Sequence, residues 1–207
     1  MSATLSSPVQ ALRPAAFIDR DGVLNVDHGY VGRIEQFEWL PGAKAALAQL
    51  QAAGYLLVVV TNQSGIARGY YTQSDFDALT AHMRQDLAAD GITLAAVQFC
   101  PHLPDAQVAA YRVDCDCRKP RPGMILQAAQ ALGIDLAASC LFGDKPSDIT
   151  AGRAAGVGRC WLVGDGAAAV AGDPARAGEV AAHGVQPDLA RAVAAQLSAH
   201  LSAPLSA

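Results

Sequence analysis

The sequence is short of charge and of aromatic side chains, and no long apolar run interrupts it. Charged residues make up 16% and aromatic ones 6% of its 207 residues. The longest strongly apolar stretch, Leu56 to Val60, is strand-sized and far below the ~20 residues that a membrane-spanning helix needs. Basic residues are not in excess: the formal net charge of -4 leaves no broad positive field for a nucleic acid. Neither G-x-G-x-x-G nor G-x-x-x-x-G-K-[ST] follows a strand, so the phosphate loops of dinucleotide and nucleoside-triphosphate binders are missing. Ahead of Asp19 no basic start leads into an apolar core, and a cytoplasmic protein is expected. Five cysteines, an odd number, then argue against a disulfide framework. No apolar stripe marks a subunit interface. A monomer with neither a membrane nor a nucleic acid as partner is the expectation.

What is present suits one folded unit. With 52% hydrophobic residues the chain can bury a full core. Residues 1–13 read as a polar tail, 14–200 as a single domain containing an unusual loop at 100–117, and 201–207 as a second tail. Short apolar runs at 15–18, 55–60, 95–99, 140–142 and 159–163 read as strands. Helical spacing covers 42–53, 72–89, 123–132, a stretch to Ala155 that Ser147 can cap, and 187–200. Thr72 and Asp75 form a capping-box start to the second of these. Residues 164–184 are rich in Ala and Gly and weakly patterned. Strands alternating with helices predict an α/β fold: a doubly wound, Rossmann-like parallel sheet with helices on both faces and a loop insertion.

In such sheets ligands bind beyond the carboxyl ends of the strands. Three predicted strands end in polar groups there: Asp19-Arg20-Asp21, Thr61-Asn62 and Gly143-Asp144. Carboxylates crowded at one edge are costly unless a cation joins them, and oxygen-only ligands suit Mg²⁺. An isolated Asp-x-Asp can equally begin a solvated turn; the matching strand ends favour the metal. Cys100, His102, Cys115 and Cys117 form a second group, Cys-x-His and Cys-x-Cys separated by twelve residues. Three thiolates and an imidazole suit tetrahedral Zn²⁺, and four protein ligands leave no open position, so a structural zinc is expected. Cys140 and Cys160 fall within predicted strands and read as core.

Phe17-Ile18-Asp19-Arg20-Asp21-Gly22, Val60-Thr61-Asn62, Arg118-Lys119-Pro120 and Gly143-Asp144-Lys145 with Asp148 resemble, in order and spacing, the four motifs of the haloacid dehalogenase-like phosphatase superfamily. Residues 25–31, 61–69 and 115–120 resemble its heptose-bisphosphate phosphatase branch, whose members carry the same Cys/His loop; the histidinol-phosphate phosphatases share much of the pattern. The resemblance covers roughly residues 15 to 163. It implies Asp19 as nucleophile, Asp21 as acid and base, and Thr61 and Lys119 as holders of the transferring phosphoryl group. It implies Mg²⁺ on Asp19, the Asp21 carbonyl and Asp144. Arg20, Asp27, His28, Gly29, Tyr30, Asn62, Gln63, Ser64, Arg118 and Lys145 would contact a small phosphorylated sugar. Val23 departs from the Thr that many members carry after Asp-Gly.

A phospho-acceptor signalling domain is the non-enzymatic alternative, since it also gathers Asp, Thr, Lys and Mg²⁺. Its phosphorylated Asp ends a later strand, whereas the second strand here ends in Thr61. Asp21, two residues past the nucleophile, favours turnover over a lasting phosphoryl mark.

Overall fold

A computed structural model describes residues 11–164 and 182–201. Its six strands form one wholly parallel sheet in the order β3-β2-β1-β4-β5-β6. They are β1 (Ala15–Ile18), β2 (Leu56–Asn62), β3 (Leu94–Cys100), β4 (Cys140–Gly143), β5 (Arg159–Val163) and β6 (Gly184–Gln186). The α-helices among the described residues are α1 (Ala43–Ala52), α2 (Ser64–Ala67), α3 (Gln73–Ala89), α4 (Gly123–Leu132), α5 (Pro146–Ala155) and α6 (Leu189–Leu201).

Period-two alternation divides the central strand between two cores. Ala16 and Ile18 of β1 join a core with Leu47 and Leu50 of α1, Met83 and Leu87 of α3, and Val193 of α6. Ala15 and Phe17 face the other way, onto Met124 and Ile125 of α4 and Ile149 of α5. Burial on both faces explains why β1 and β2 read as unbroken apolar runs, the mark of a covered parallel sheet. The doubly wound α/β expectation therefore holds.

The differences lie at element ends and in two short elements, α2 and β6, that the sequence pattern did not mark. β2 runs on through Thr61 and Asn62, so both residues are held by the sheet ladder rather than by a loop. Arg13, placed in the tail by its sequence, exchanges backbone hydrogen bonds with Gly133 and Asp135. β6 begins at Gly184, at the end of a segment that reads as unpatterned; residues 165–181 of that segment lie outside the described residues. Ser147 does not cap α5. The N-cap position is Lys145, whose N–H donates to the Asp148 carboxylate at 2.9 Å, and Ser147 lies inside the first turn. Thr72 and Asp75 do form their capping box at the start of α3. No described helix is long and apolar enough to cross a membrane.

Candidate active site

The ends of β1, β2 and β4 carry their polar residues to one edge, because parallel neighbours in register finish at the same level. Asp19 follows β1 directly and its N–H still bonds the Phe142 carbonyl of β4 at 2.9 Å. Lys119 enters from the loop before α4 and is buried. Its ammonium lies 2.9 Å from Asp19 Oδ1 and 2.5 Å from Asp148 Oδ1, and donates to the Val60 carbonyl at 2.8 Å. All three donors are thereby engaged. Burial opposes the Lys119 charge, but Asp148 and Asp19 outweigh it and hold the ammonium above its usual range.

Asp144 completes a group of three carboxylates with Asp19 and Asp148 whose oxygens lie within 4.8 Å of one another. Its Oδ1 is buried without a hydrogen-bond partner. Burial, and then the charge of Asp19, pushes the Asp144 carboxyl up to about 7. An orphaned oxygen among like charges is what a divalent cation relieves, so the donor set fits Mg²⁺. Gly22 allows the approach: it sits at φ +82°, and a Cβ there would lie 2.6 Å from Asp144 Oδ2.

Asp21 and Thr61 line the same small cavity of about 50 Å³ as Asp19, Lys119 and Asp148. The Thr61 oxygen accepts from Gln63 Nε2 at 2.8 Å, which leaves its own hydrogen to point at a ligand. A wider cavity of about 390 Å³ adjoins it, lined by Asp21, Asp27, Gly29, Tyr30, Ser64, Arg118 and Lys145 among others. Lys145 bridges the two, 3.5 Å from both Asp27 Oδ2 and Asp144 Oδ2.

Four expected substrate residues behave differently, Gln63 among them: it lines the wider cavity, but its amide is committed to Asp21 and Thr61. Arg20 is 1% exposed and turned into the interior, where its guanidinium pairs with Asp21; no path leads from it to a ligand. His28 is exposed beside Glu38, 3.5 Å away, and does not line the cavity. Asn62 lines both cavities, yet its amide is committed to the main chain of Lys119. It donates to the Lys119 carbonyl and accepts from the Lys119 N–H, each at 3.1 Å.

Asp148 and Ser147 line the small cavity although neither stood among the expected site residues. Asp148 belongs to the fourth motif, and its pairing with Lys119 depends on a contact between residues 29 positions apart, a distance no local pattern encodes.

The Cys/His group assembles as its residue types imply. Cys100, His102, Cys115 and Cys117 offer ligand atoms within 4.8 Å of one another. Sulfur–sulfur distances of 3.1, 3.2 and 3.5 Å exclude disulfides, which need about 2 Å, and bring the three thiols close enough to share one ion. His102 Nδ1 lies 3.4 Å from Cys117 Sγ. Burial raises the Cys100 thiol, so a cation is needed to hold it as thiolate. Arg118 follows the last ligand, and its guanidinium donates to the His102 carbonyl at 3.4 Å while lining the wider cavity.

Comparison with known proteins agrees with this geometry. A family model described as haloacid dehalogenase-like hydrolase matches residues 7–156. The chain is 50% identical over 153 residues to the D-glycero-beta-D-manno-heptose-1,7-bisphosphate 7-phosphatase of Yersinia pestis, spanning 74% of this chain and 81% of that protein. The same enzyme of Escherichia coli K12 is also 50% identical over 153 residues, with 74% and 80% covered. Among solved structures, the D,D-heptose 1,7-bisphosphate phosphatase from B. bronchiseptica, complexed with magnesium and phosphate, superposes with a TM-score of 0.77. It is 34% identical, over 90% of this chain and 99% of the other.

Proposed function

This chain belongs to the haloacid dehalogenase-like hydrolases, and on that premise we propose that it is a Mg²⁺-dependent phosphatase removing the 7-phosphate of D-glycero-β-D-manno-heptose 1,7-bisphosphate. The observation that carries the reading is the buried Lys119 ammonium joining Asp19 to Asp148 beside the unpartnered Asp144 oxygen. Such a cluster places one carboxylate beside a fixed cation that can take up phosphoryl charge. The β anomer and the sugar come from the names of the relatives at 50% identity.

The chemistry divides one slow displacement in two. An Asp19 oxygen attacks phosphorus; the bond from phosphorus to the C7 oxygen breaks, and that oxygen takes the proton of the Asp21 carboxyl. Water then attacks the aspartyl-phosphate, giving its proton to the Asp21 carboxylate, and the bond from Asp19 to phosphorus breaks to release inorganic phosphate. Asp21 thus ends the cycle protonated as it began. Lys119 and the Thr61 hydroxyl hold the phosphoryl oxygens in line. Mg²⁺, held by Asp19, Asp144 and the Asp21 main-chain carbonyl, supplies charge neutralisation when bound. Asp27, Gly29, Tyr30, Ser64, Arg118 and Lys145 line the space for the sugar and its second phosphate. Zn²⁺ on Cys100, His102, Cys115 and Cys117 is structural and steadies Arg118 and Lys119. The enzyme acts as a cytoplasmic monomer, with residues 14–200 as its one domain, readings that light scattering and fractionation test.

The deciding measurement is phosphate release, with Mg²⁺, from both heptose anomers and from histidinol phosphate. A kcat/KM advantage of about 100-fold for the β anomer, ~2.7 kcal/mol in transition-state binding, is expected. A preference for histidinol phosphate would overturn the substrate and leave the Asp19 chemistry standing. A single stable phosphorylation without turnover would favour the signalling alternative.

A further inference from the structure

Arg20, Gln63 and Tyr71 form one side-chain network on Asp21, Arg20 and Gln63 directly and Tyr71 through Gln63. Arg20 Nη2 lies 2.9 Å from Asp21 Oδ1 and 3.0 Å from Oδ2, and Nε lies 3.2 Å from Oδ1. The same guanidinium donates to the Val31 carbonyl and stands 5.6 Å over the Phe76 ring, so it is locked from several sides. Asn25 Nδ2 adds a further donor to Asp21 Oδ1 at 3.1 Å.

Gln63 is the joint of the network. Its Nε2 donates to Asp21 Oδ2 at 2.9 Å and to Thr61 Oγ1 at 2.8 Å. Its Oε1 accepts from the Tyr71 hydroxyl at 2.5 Å and from Arg20 Nη2 at 3.3 Å. The amide has one workable orientation, since turning it over would set its NH₂ against the donors of Arg20 and its oxygen against a carboxylate. One buried side chain therefore ties the acid/base residue to the hydroxyl that faces the phosphoryl group.

The Tyr71 ring is seated with equal care. A Cβ added to Gly32 would come within 2.2 Å of its Cγ, and one added to Gly65 within 2.2 Å of its Cε1. The ring thus passes between two stretches of backbone where only glycine leaves room. Burial raises the Tyr71 phenol, which keeps it protonated and able to donate to Gln63.

We propose that Arg20, Gln63 and Tyr71 are positioning residues that hold the Asp21 carboxyl in register with Thr61, rather than ligands of the substrate. The proposal rests on the reading of Asp21 as the general acid and base. Its consequence concerns the leaving group. A sugar alkoxide must be protonated as it departs, whereas the phenolate of an aryl phosphate departs without a proton. Loosening Asp21 therefore harms the sugar ester more than the aryl ester.

The experiment measures kcat and KM for the heptose bisphosphate and for p-nitrophenyl phosphate in the full-length wild type, Asp21→Asn, Gln63→Met and Tyr71→Phe. The sugar-to-aryl ratio of kcat/KM, which reports phosphoryl transfer to Asp19 and not the hydrolysis step that both esters share, should fall about 100- to 10,000-fold in Asp21→Asn. It should fall about tenfold or more in Gln63→Met and about fivefold in Tyr71→Phe, with the heptose KM held within about twofold. Tyr71→Phe removes a single oxygen from a filled site and keeps the test open should Gln63→Met fold poorly. An unchanged ratio in Tyr71→Phe and Gln63→Met alongside a fallen ratio in Asp21→Asn overturns the positioning role alone. A heptose KM that rises with kcat unchanged overturns it too, since that pattern marks a lost substrate contact. An unchanged ratio in Asp21→Asn sinks both this proposal and the acid assignment beneath it.

Discussion

The strand-end site and the Cys/His loop both gather metal-binding side chains, but they are supported in opposite ways. Asp19, Thr61 and Asp144 hang from the ends of strands that are buried on both faces, and Lys119 balances part of their charge internally. That arrangement is specified by the sheet before any ion arrives. Between Cys100 and Cys117 the only helical element is a single 3-10 turn at Ala109–Tyr111, resting on a small cluster of Ala67, Leu103 and Ala106. So little apolar burial contributes weakly to folding, and ion binding must supply the order. One site needs its metal for chemistry, the other for shape.

The sharpest break of this contrast is at the nucleophile. Asp19→Asn should lower phosphate release by about 10⁴-fold or more while leaving the melting temperature near that of the wild type, because the sheet and not the carboxylate shapes the edge. Activity close to wild type would move the nucleophile elsewhere.

Metal removal separates the two regions directly. Selective loss of zinc, or Cys115→Ser with Cys117→Ser, withdraws binding energy of up to ~10–16 kcal/mol from the loop. Amides of residues 100–117 should then exchange rapidly with deuterium, and the substrate KM should rise as Arg118 loses its anchor. Withdrawal of magnesium should abolish turnover with loop exchange unchanged. Equal loop exchange under both treatments would erase the distinction.

A smaller effect is expected from Lys119→Met. Removing one partner of a buried charge cluster leaves Asp19 and Asp148 uncompensated, a cost of roughly 3–5 kcal/mol measurable by urea unfolding. Mg²⁺ should recover part of that loss, since it can serve Asp19, and should stabilise Lys119→Met more than it stabilises the wild type or a variant altered in the loop.

The least effect concerns pH. The Asp144 carboxyl rises from its ordinary 3.8 to about 7 through burial and then Asp19. The folded protein therefore holds this proton more tightly than the unfolded chain does. Without metal, its contribution to stability is fully present below 3.8 and is lost as pH climbs towards about 7. Added Mg²⁺ should accordingly raise the melting temperature more at about pH 8 than at about pH 5. An equal rise at both would detach Asp144 from the ion.

Much of this was legible residue by residue. Apolar runs closing on Asp19, Thr61 and Gly143 announced a parallel sheet with its chemistry at the carboxyl edge, because strand period and burial are local properties of the chain. Cys100, His102, Cys115 and Cys117 were equally readable, since ligand type alone limits the ion. The directions of the His28, Arg20, Asn62 and Gln63 side chains were not. Each residue stands in a stretch suited to substrate contact, yet His28 lies beside Glu38, Arg20 turns to Asp21, Asn62 holds the Lys119 backbone, and Gln63 is committed to Asp21 and Thr61.

The sequence by itself determined five of the six described strands and the five longer described helices, the residue types at the strand ends and the two kinds of metal donor. All of these follow from composition, spacing and periodicity within short windows. Only the tertiary structure decided which polar side chains face the cavity and which are drawn inside to hold their neighbours. Lys119 reaches Asp19 across a hundred residues, and Tyr71 reaches Gln63 through a gap between Gly32 and Gly65. The direction of a side chain at the end of a strand is set by which partners the packed fold brings within hydrogen-bonding distance, and short windows of sequence do not show which neighbour, near or distant, will be chosen.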